Sequence, residues 1–576
     1  MAPGEAFVRV RVSAILSIVE RARPQDGVDA LVAAGFHPLL ARVYAARGIA
    51  SAAELDDGLA RLHAPDAMRN LRLMARLLAD AIAARAKLLI VADYDADGAT
   101  ACAVGLRALR VFGADVQYLV PNRFEYGYGL TPEIVRLAHE RFRPDVLITV
   151  DNGIASIEGV AEANRLGMRV LVTDHHLPAD ALPEAWCIIN PNQPGCEFPS
   201  KHLAGVGVMF YLMIALRAEL KERGAFAREP VLAGLLDLVA LGTVADVVRL
   251  DANNRVLVQQ GLKRMRAGRM QAGIAALFEA SGREPTRACA YDLGFVLGPR
   301  LNAAGRLTDM ALGIECLTTD DPVRALEIAR ELDRLNRERR DIEAQMQESA
   351  LASIGDDVGD ACALALFDEA WHQGVIGIVA SRLKERYHRP VIAFARGMDG
   401  EIKGSGRSIS TLHLRDALDL LTKRHAGLVL RFGGHAAAAG LTIRECDFDR
   451  FRIAFDSTVR SLVNESDLEK QIETDGSLGP AECTFDLARA IAACVWGQGF
   501  PEPRFFDAFE VKQQRIVGGQ HTRLRLARSG RAYDAILFGE TRPLPPRVEA
   551  VYRIEVNEYN GMQGLQLGVQ HWRPAV

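Results

Sequence analysis

The stretch Lys87-Leu88-Leu89-Ile90-Val91-Ala92-Asp93-Tyr94-Asp95-Ala96-Asp97-Gly98 decides the fold. Its apolar half is short and continuous rather than alternating, which is the pattern of a strand covered on both faces. Three carboxylates follow at once, and Gly98 leads into a helical stretch. In an open parallel sheet, ligands gather at the carboxyl ends of the strands. Working outward, similar runs recur at Val116–Val120, Val146–Val150, Val170–Thr173 and Cys187–Ile189, with helical stretches between several of them. Strands alternating with helices predict an α/β fold with a parallel sheet. Two of these runs also end in polar residues, Asp151-Asn152-Gly153 and Asp174-His175-His176. Asp246 follows the mostly apolar run Leu235–Leu241 and is read as a fourth strand end.

Carboxylates crowded together resist ionisation, and a divalent cation removes that penalty. Mixed Asp and His ligands suit manganese, magnesium or zinc better than calcium. An EF-hand loop counted from Asp93 needs Glu at its twelfth position, where Val104 stands. Two metals about 3.5–4 Å apart can activate a water and steady the leaving oxygen of a phosphodiester. One Asp after a strand is usually a helix cap, and one His pair is usually structural. The coincidence of four such sites is what points to a metal centre.

The chain has 576 residues, of which 49% are hydrophobic and 25% charged, an ordinary globular composition. At about 100–200 residues per domain it holds several domains. Its net charge of −4 does not advertise a nucleic-acid binder, so any binding charge must be local. Nine scattered cysteines form no CxxC pair, which excludes a zinc ribbon and a disulfide framework and fits a reducing compartment. The opening MAPGEAFVRVRVSAIL is a poor signal peptide, and no apolar run suits a bilayer span, so the expected location is the cytoplasm.

Residues 1–85 read as a helical region and 86–320 as the first α/β domain. Asp321-Pro322 opens a connecting helix over 321–355, about 50 Å long at 1.5 Å per residue. A second α/β unit follows over 356–464, with glycine-rich segments read as tight, phosphate-approaching turns. The tail, 465–576, is β-rich and barrel-like. No acidic residue interrupts Lys512–Tyr533, and Arg523 and Arg525 share a strand face opposite Leu524 and Leu526. With aromatic residues such as Tyr533 or Tyr559, that face suits a single-strand groove.

At Asp174-His175-His176 the sequence resembles the DHH phosphoesterase superfamily. The likeness extends to Pro121-Asn122-Arg123-Phe124, Tyr126–Leu130, Gly298–Arg306 and Gly433-Gly434-His435, and covers the chain from about His37 onward. The resemblance implies a DHH catalytic domain, a DHHA1-like substrate-binding domain and a C-terminal OB-fold. It implies metal ligation by Asp95, Asp97, Asp151, His175 and Asp246, with Asp151 as the bridge and His176 supporting the site or the phosphate. Some members carry a His four residues before the first Asp ligand. Val91 stands there, and Asp93 is the candidate to take over. Arg123, Tyr128, Arg300, Asn302, Arg306, Ser405, Arg407 and His435 would meet the substrate, with Arg523 and Arg525 on the barrel. Where members often have Gly-Asn-Pro, Gly499-Phe500-Pro501 stands, which alters a turn.

The function so implied is 5′→3′ hydrolysis of single-stranded DNA to mononucleotides with two Mn2+ or Mg2+ ions, in repair and recombination. Single-strand-binding protein and a repair helicase are the implied partners, and a monomer the implied state. Two other readings remain open: a phosphodiesterase of short oligonucleotides, cyclic dinucleotides or pyrophosphate, and a silent strand-binding scaffold.

Overall fold

The computed structural model describes residues 17–354, 358–559 and 562–575; residues 1–16, read above for a leader, lie outside the described residues. The chain forms two compact units: Arg21–Asn336 with Thr474–Val576, and Met1–Glu20 with Arg337–Glu473.

In the first unit, five strands lie in the order Asp115–Leu119, Lys87–Ala92, Val146–Val150, Arg169–Thr173, Cys187–Ile189, every neighbouring pair parallel. The chain order reverses between Lys87–Ala92 and Val146–Val150, so the crevice expected of an open sheet opens there. Asn152 stitches the two strands together by donating to Val91 O at 3.2 Å and Val150 O at 2.9 Å. Helix Ala96–Val111 packs between this sheet and the helices Gly205–Glu222 and Leu236–Ala245.

The last of these corrects the sequence reading: the run before Asp246 is a helix, not a strand. Leu236–Thr243 is buried throughout. A helix covered on every side shows no apolar stripe, so its run looks like that of a central strand.

The C-terminal strands close a barrel in the order Phe505–Val517, His521–Arg528, Arg531–Leu537, Met562–Pro574, Arg547–Tyr559. All contacts are antiparallel except that between Arg531–Leu537 and Met562–Pro574. Leu524 and Leu526 point into it, as their alternation with arginines requires. The residues before the barrel clasp the N-terminal helices. Arg47 meets Asp475 at 2.6 Å with both side chains buried, and Tyr44 and Trp496 each stack on Phe500. Phe500 thus spends its ring on this aromatic stack, while Gly499 turns the chain at φ 70°.

The second unit holds a mixed sheet, Arg431–Gly434, Ala438–Arg444, Glu401–Arg407, Val391–Arg396, Leu364–Phe367, parallel only at its last pair. Here too the structure departs from expectation. Gly404-Ser405-Gly406-Arg407 lies within a strand, not a turn. A Cβ on Gly404 would come within 2.6 Å of Phe394, and one on Gly406 within 2.7 Å of Leu414. These glycines make room for core side chains on one face, which leaves Ser405 and Arg407 on the other. Helix Pro322–Ile354 runs from one unit into the other, capped by Asp321, which accepts from Val323 N at 2.9 Å.

Candidate metal centre

Three overlapping groups of ligand atoms each fall within 4.8 Å: Asp93, Asp95 and Asp151; Asp151, His175 and His176; Asp97, His175 and Asp246. Asp93 and Asp95 leave the end of the first strand. Asp95 caps helix Ala96–Val111 by accepting from Gly98 N at 3.0 Å. Asp95 therefore caps a helix and belongs to the cluster at once.

Asp97 is fully buried on the first turn of that helix. Its carboxylate accepts from Gly205 N at 2.6 Å and Val206 N at 2.9 Å, the free donors at the start of helix Gly205–Glu222. Gly205 also admits Asp151, whose Oδ1 and Cβ would lie 2.8 Å from any Cβ placed there. Asp151 itself takes φ 63°, a left-handed conformation that Asp tolerates better than most residues. Val247, following Asp246, takes φ 64°, which is strained for a β-branched side chain.

Asp174 plays a different part. It accepts from Ile154 N at 2.9 Å, His175 N at 2.7 Å, His176 N at 3.1 Å and the His176 ring at 2.8 Å. It thereby folds the loop and orients one histidine while the other turns inward. Asn190 and Asn192 hold the same loop, donating to the carbonyls of His176 at 2.9 Å and His175 at 2.6 Å. Sequence reasoning passed over Gly205, Asn190 and Asn192. The available signals were the small residues Ala204-Gly205 opening an apolar run and the Asn190-Pro191-Asn192 punctuation after a strand.

Burial, then the neighbouring charge of Asp246, raises the Asp97 carboxyl to about 7. Burial and Asp95 raise Asp246 to about 7 as well. Burial and the surrounding carboxylates push Asp151 well above the usual range. Burial opposes a charge on His176, but the hydrogen bond to Asp174 and the charges of Asp174, Asp246 and Asp93 together outweigh it and raise the ring to about 9. Asp151 Oδ1 and His175 Nε2 face each other at 3.0 Å, yet both are buried without a hydrogen-bond partner. Orphaned oxygen and imidazole donors beside repelling carboxylates fit a divalent cation.

The other expected site residues are dispersed. Tyr128 borders the cluster, its hydroxyl 3.2 Å from His176 Nδ1. The side chain of Arg123 lies outside the described residues, as does that of Tyr559. Asn302 accepts from Ala96 N at 2.8 Å and so supports the acidic loop. The Arg300 guanidinium is held by Asp333 at 2.8 Å and Val296 O at 2.6 Å. Arg306 stands in the last turn of helix Gly298–Leu307. In the second unit, Arg407 donates to Ser405 Oγ at 3.2 Å, and His435 lies in the turn between two strands. On the barrel, Arg523 is exposed, whereas Arg525 pairs with Asp534 at 2.9 Å.

Residues 87–243 match the DHH family, N-terminal domain, 359–461 the DHHA1 domain, and 474–571 the RecJ OB domain. The chain is 48% identical to the single-stranded-DNA-specific exonuclease RecJ of Dickeya dadantii, over 97% of this chain and 100% of that one. It is 47% identical to the Escherichia coli enzyme of the same name, over 93% and 96%. The crystal structure of RecJ in complex with Mn2+ from Thermus thermophilus superposes with a TM-score of 0.82 at 30% identity, covering 97% of this chain and 80% of that one. The Mg2+ complex superposes at 0.76 and 28% identity, covering 97% and 78%.

Proposed function

The chain belongs to the RecJ family of DHH exonucleases, and on that premise we propose that it degrades single-stranded DNA from the 5′ end, releasing mononucleotides, with two bound Mn2+ or Mg2+ ions. The observation that carries this reading is the overlap of three ligand groups at one sheet switch point. Asp97, His175 and Asp246 would hold one ion and Asp93, Asp95 and Asp151 the other, and Asp151, whose Oδ1 lies 3.0 Å from His175 Nε2, would link the two groups. Ions bound there would supply Lewis-acid polarisation of a water and neutralisation of charge on the scissile phosphate.

The protein's own part is positioning. Gly205 N and Val206 N hold the Asp97 carboxylate in one orientation. Asp174 turns His176 toward the open side, where its ring, beside the Tyr128 hydroxyl, can meet a phosphate oxygen. Ser405 and Arg407 bind the phosphates near the 5′ end, Arg407 as a planar donor. Arg523 tracks the strand on the barrel. The enzyme acts in the cytoplasm, as a monomer, in repair and recombination alongside single-strand-binding protein and a helicase.

The test is a time course on a long single strand labelled at either end, with and without Mn2+ or Mg2+. Release of a 5′-labelled mononucleotide, with the 3′-labelled strand shortening stepwise and only when metal is present, is the expected result. A preference for dinucleotides over the long strand would replace this reading with the short-oligonucleotide one. Strand binding without turnover in any metal would leave the scaffold.

A further inference from the structure

Outside the metal centre, the first unit exposes two aromatic rings that nothing above employs. Tyr291 and Phe295 are 54% and 68% exposed. Their rings stack on each other, centroids 5.0 Å apart and planes 22° from parallel. Tyr291 immediately precedes, and Phe295 belongs to, the π-helical turn Asp292–Leu297, a form that is rare and often found at functional sites. The turn is held firmly from behind. Asp292 accepts from Cys289 N at 3.0 Å and pairs with Arg283 at 3.0 Å. The Arg283 guanidinium in turn lies 5.9 Å from the Tyr291 ring centre.

The location says what this pair is for. A Cβ on Gly294 would meet Val244 at 3.2 Å, and one on Gly298 would meet Ala245 at 3.0 Å. The turn therefore rests on the last residues of the helix that presents Asp246. At its other end the same segment reaches the barrel, where Arg287 pairs with Glu558. Segment 287–298 thus spans from the barrel to the rim of the metal centre, with its two rings facing solvent. A strand bound to both the barrel and the metal centre would have this segment along its way.

We propose that Tyr291 and Phe295 form a stacking platform for nucleobases of the substrate strand just before it enters the metal centre. This rests on the strand-degrading function proposed above. Every base offers a π face, so such a platform grips the strand without reading its sequence. The adjacent Arg283 adds a cation beside the ring stack. The strand's bases would lie on the platform while its phosphates turn toward the carboxylate-bound ions.

The test compares wild type, the Tyr291→Ala/Phe295→Ala double variant, Phe295→Leu and Phe295→Trp on two strands. One is poly(dT); the other carries a run of abasic tetrahydrofuran residues near the 5′ end. The double variant should raise KM on poly(dT) about tenfold, the scale of losing one stacked base, and Phe295→Leu should raise it where Phe295→Trp keeps the wild-type value. The abasic run should raise the wild-type KM to match and leave the double variant unchanged. Wild-type KM in the double variant, or an equal further loss on abasic strand, overturns the platform. A wild-type protein that leaves poly(dT) intact in Mn2+ overturns the strand-degrading function itself.

Discussion

In the five-stranded parallel sheet the acidic residues stand beyond the strands, past Ala92 and Val150, whereas in the mixed sheet Ser405 and Arg407 stand inside the strand Glu401–Arg407. The first arrangement makes side chains converge. Loops from neighbouring parallel strands end at the same edge, and the start of helix Gly205–Glu222 adds two backbone donors to hold a carboxylate there. The second arrangement makes a flat array. Alternate residues of one strand face the same way, and the glycines between them give their volume to Phe394 and Leu414 on the far side. Packing like charges around small ions needs convergence, while contacting a chain of phosphates needs a surface. The two sheets differ in the way the two proposed tasks would require.

If convergence is what matters in the first sheet, its central carboxylate should be the most sensitive position in the molecule. Asp151→Ala should lower kcat by at least about a thousandfold, since the charge stabilisation lost is worth several kcal/mol at about 1.4 kcal/mol per decade. Strand affinity measured by fluorescence anisotropy should remain close to wild type. A folded Asp151→Ala protein that still cleaves would remove the basis of the comparison.

Gly205→Ala sharpens the same point without touching a ligand. A Cβ 2.8 Å from Asp151 Oδ1 must displace that carboxylate or the helix start. A shift of about 1 Å at a reacting centre can cost about a hundredfold in rate, so kcat should drop by that order while circular dichroism stays native. Unchanged kcat would mean that the carboxylate is not held as closely as the structure places it.

The second sheet should respond differently. Arg407→Lys keeps the charge but loses the planar fork, so KM should rise, by about tenfold, with kcat little altered in steady-state assays. A kcat loss as large as that of Asp151→Ala would erase the distinction between the two sheets. Smallest of all should be Arg523→Ala on the barrel. Affinity should fall only a few-fold, and the slope of log affinity against log salt should shrink by about 0.7, the increment for one phosphate contact on a single strand.

Much of this was legible in the amino-acid sequence because it is local. A continuous apolar run ending in acidic residues marks a buried strand and its edge. Alternating Leu and Arg marks a barrel wall, and Asp321-Pro322 marks a helix start. These patterns marked the parallel sheet and the cluster of candidate ligands at its edge. What they left undecided was everything set by partners distant in the chain. The helix before Asp246 looked like a strand because only its neighbours, chiefly Ala252–Arg266, Ala96–Val111 and Gly205–Glu222, explain its apolarity on all sides. Gly404 and Gly406 looked like turn residues because the rings and branches that exclude a Cβ lie on other strands and helices. The internal contacts of Arg300 with Asp333 and of Asn302 with Ala96 were likewise not legible, because their partners lie far off in the chain. Periodicity records which sides of an element avoid water, but not which element covers each side. That assignment was made by tertiary packing alone.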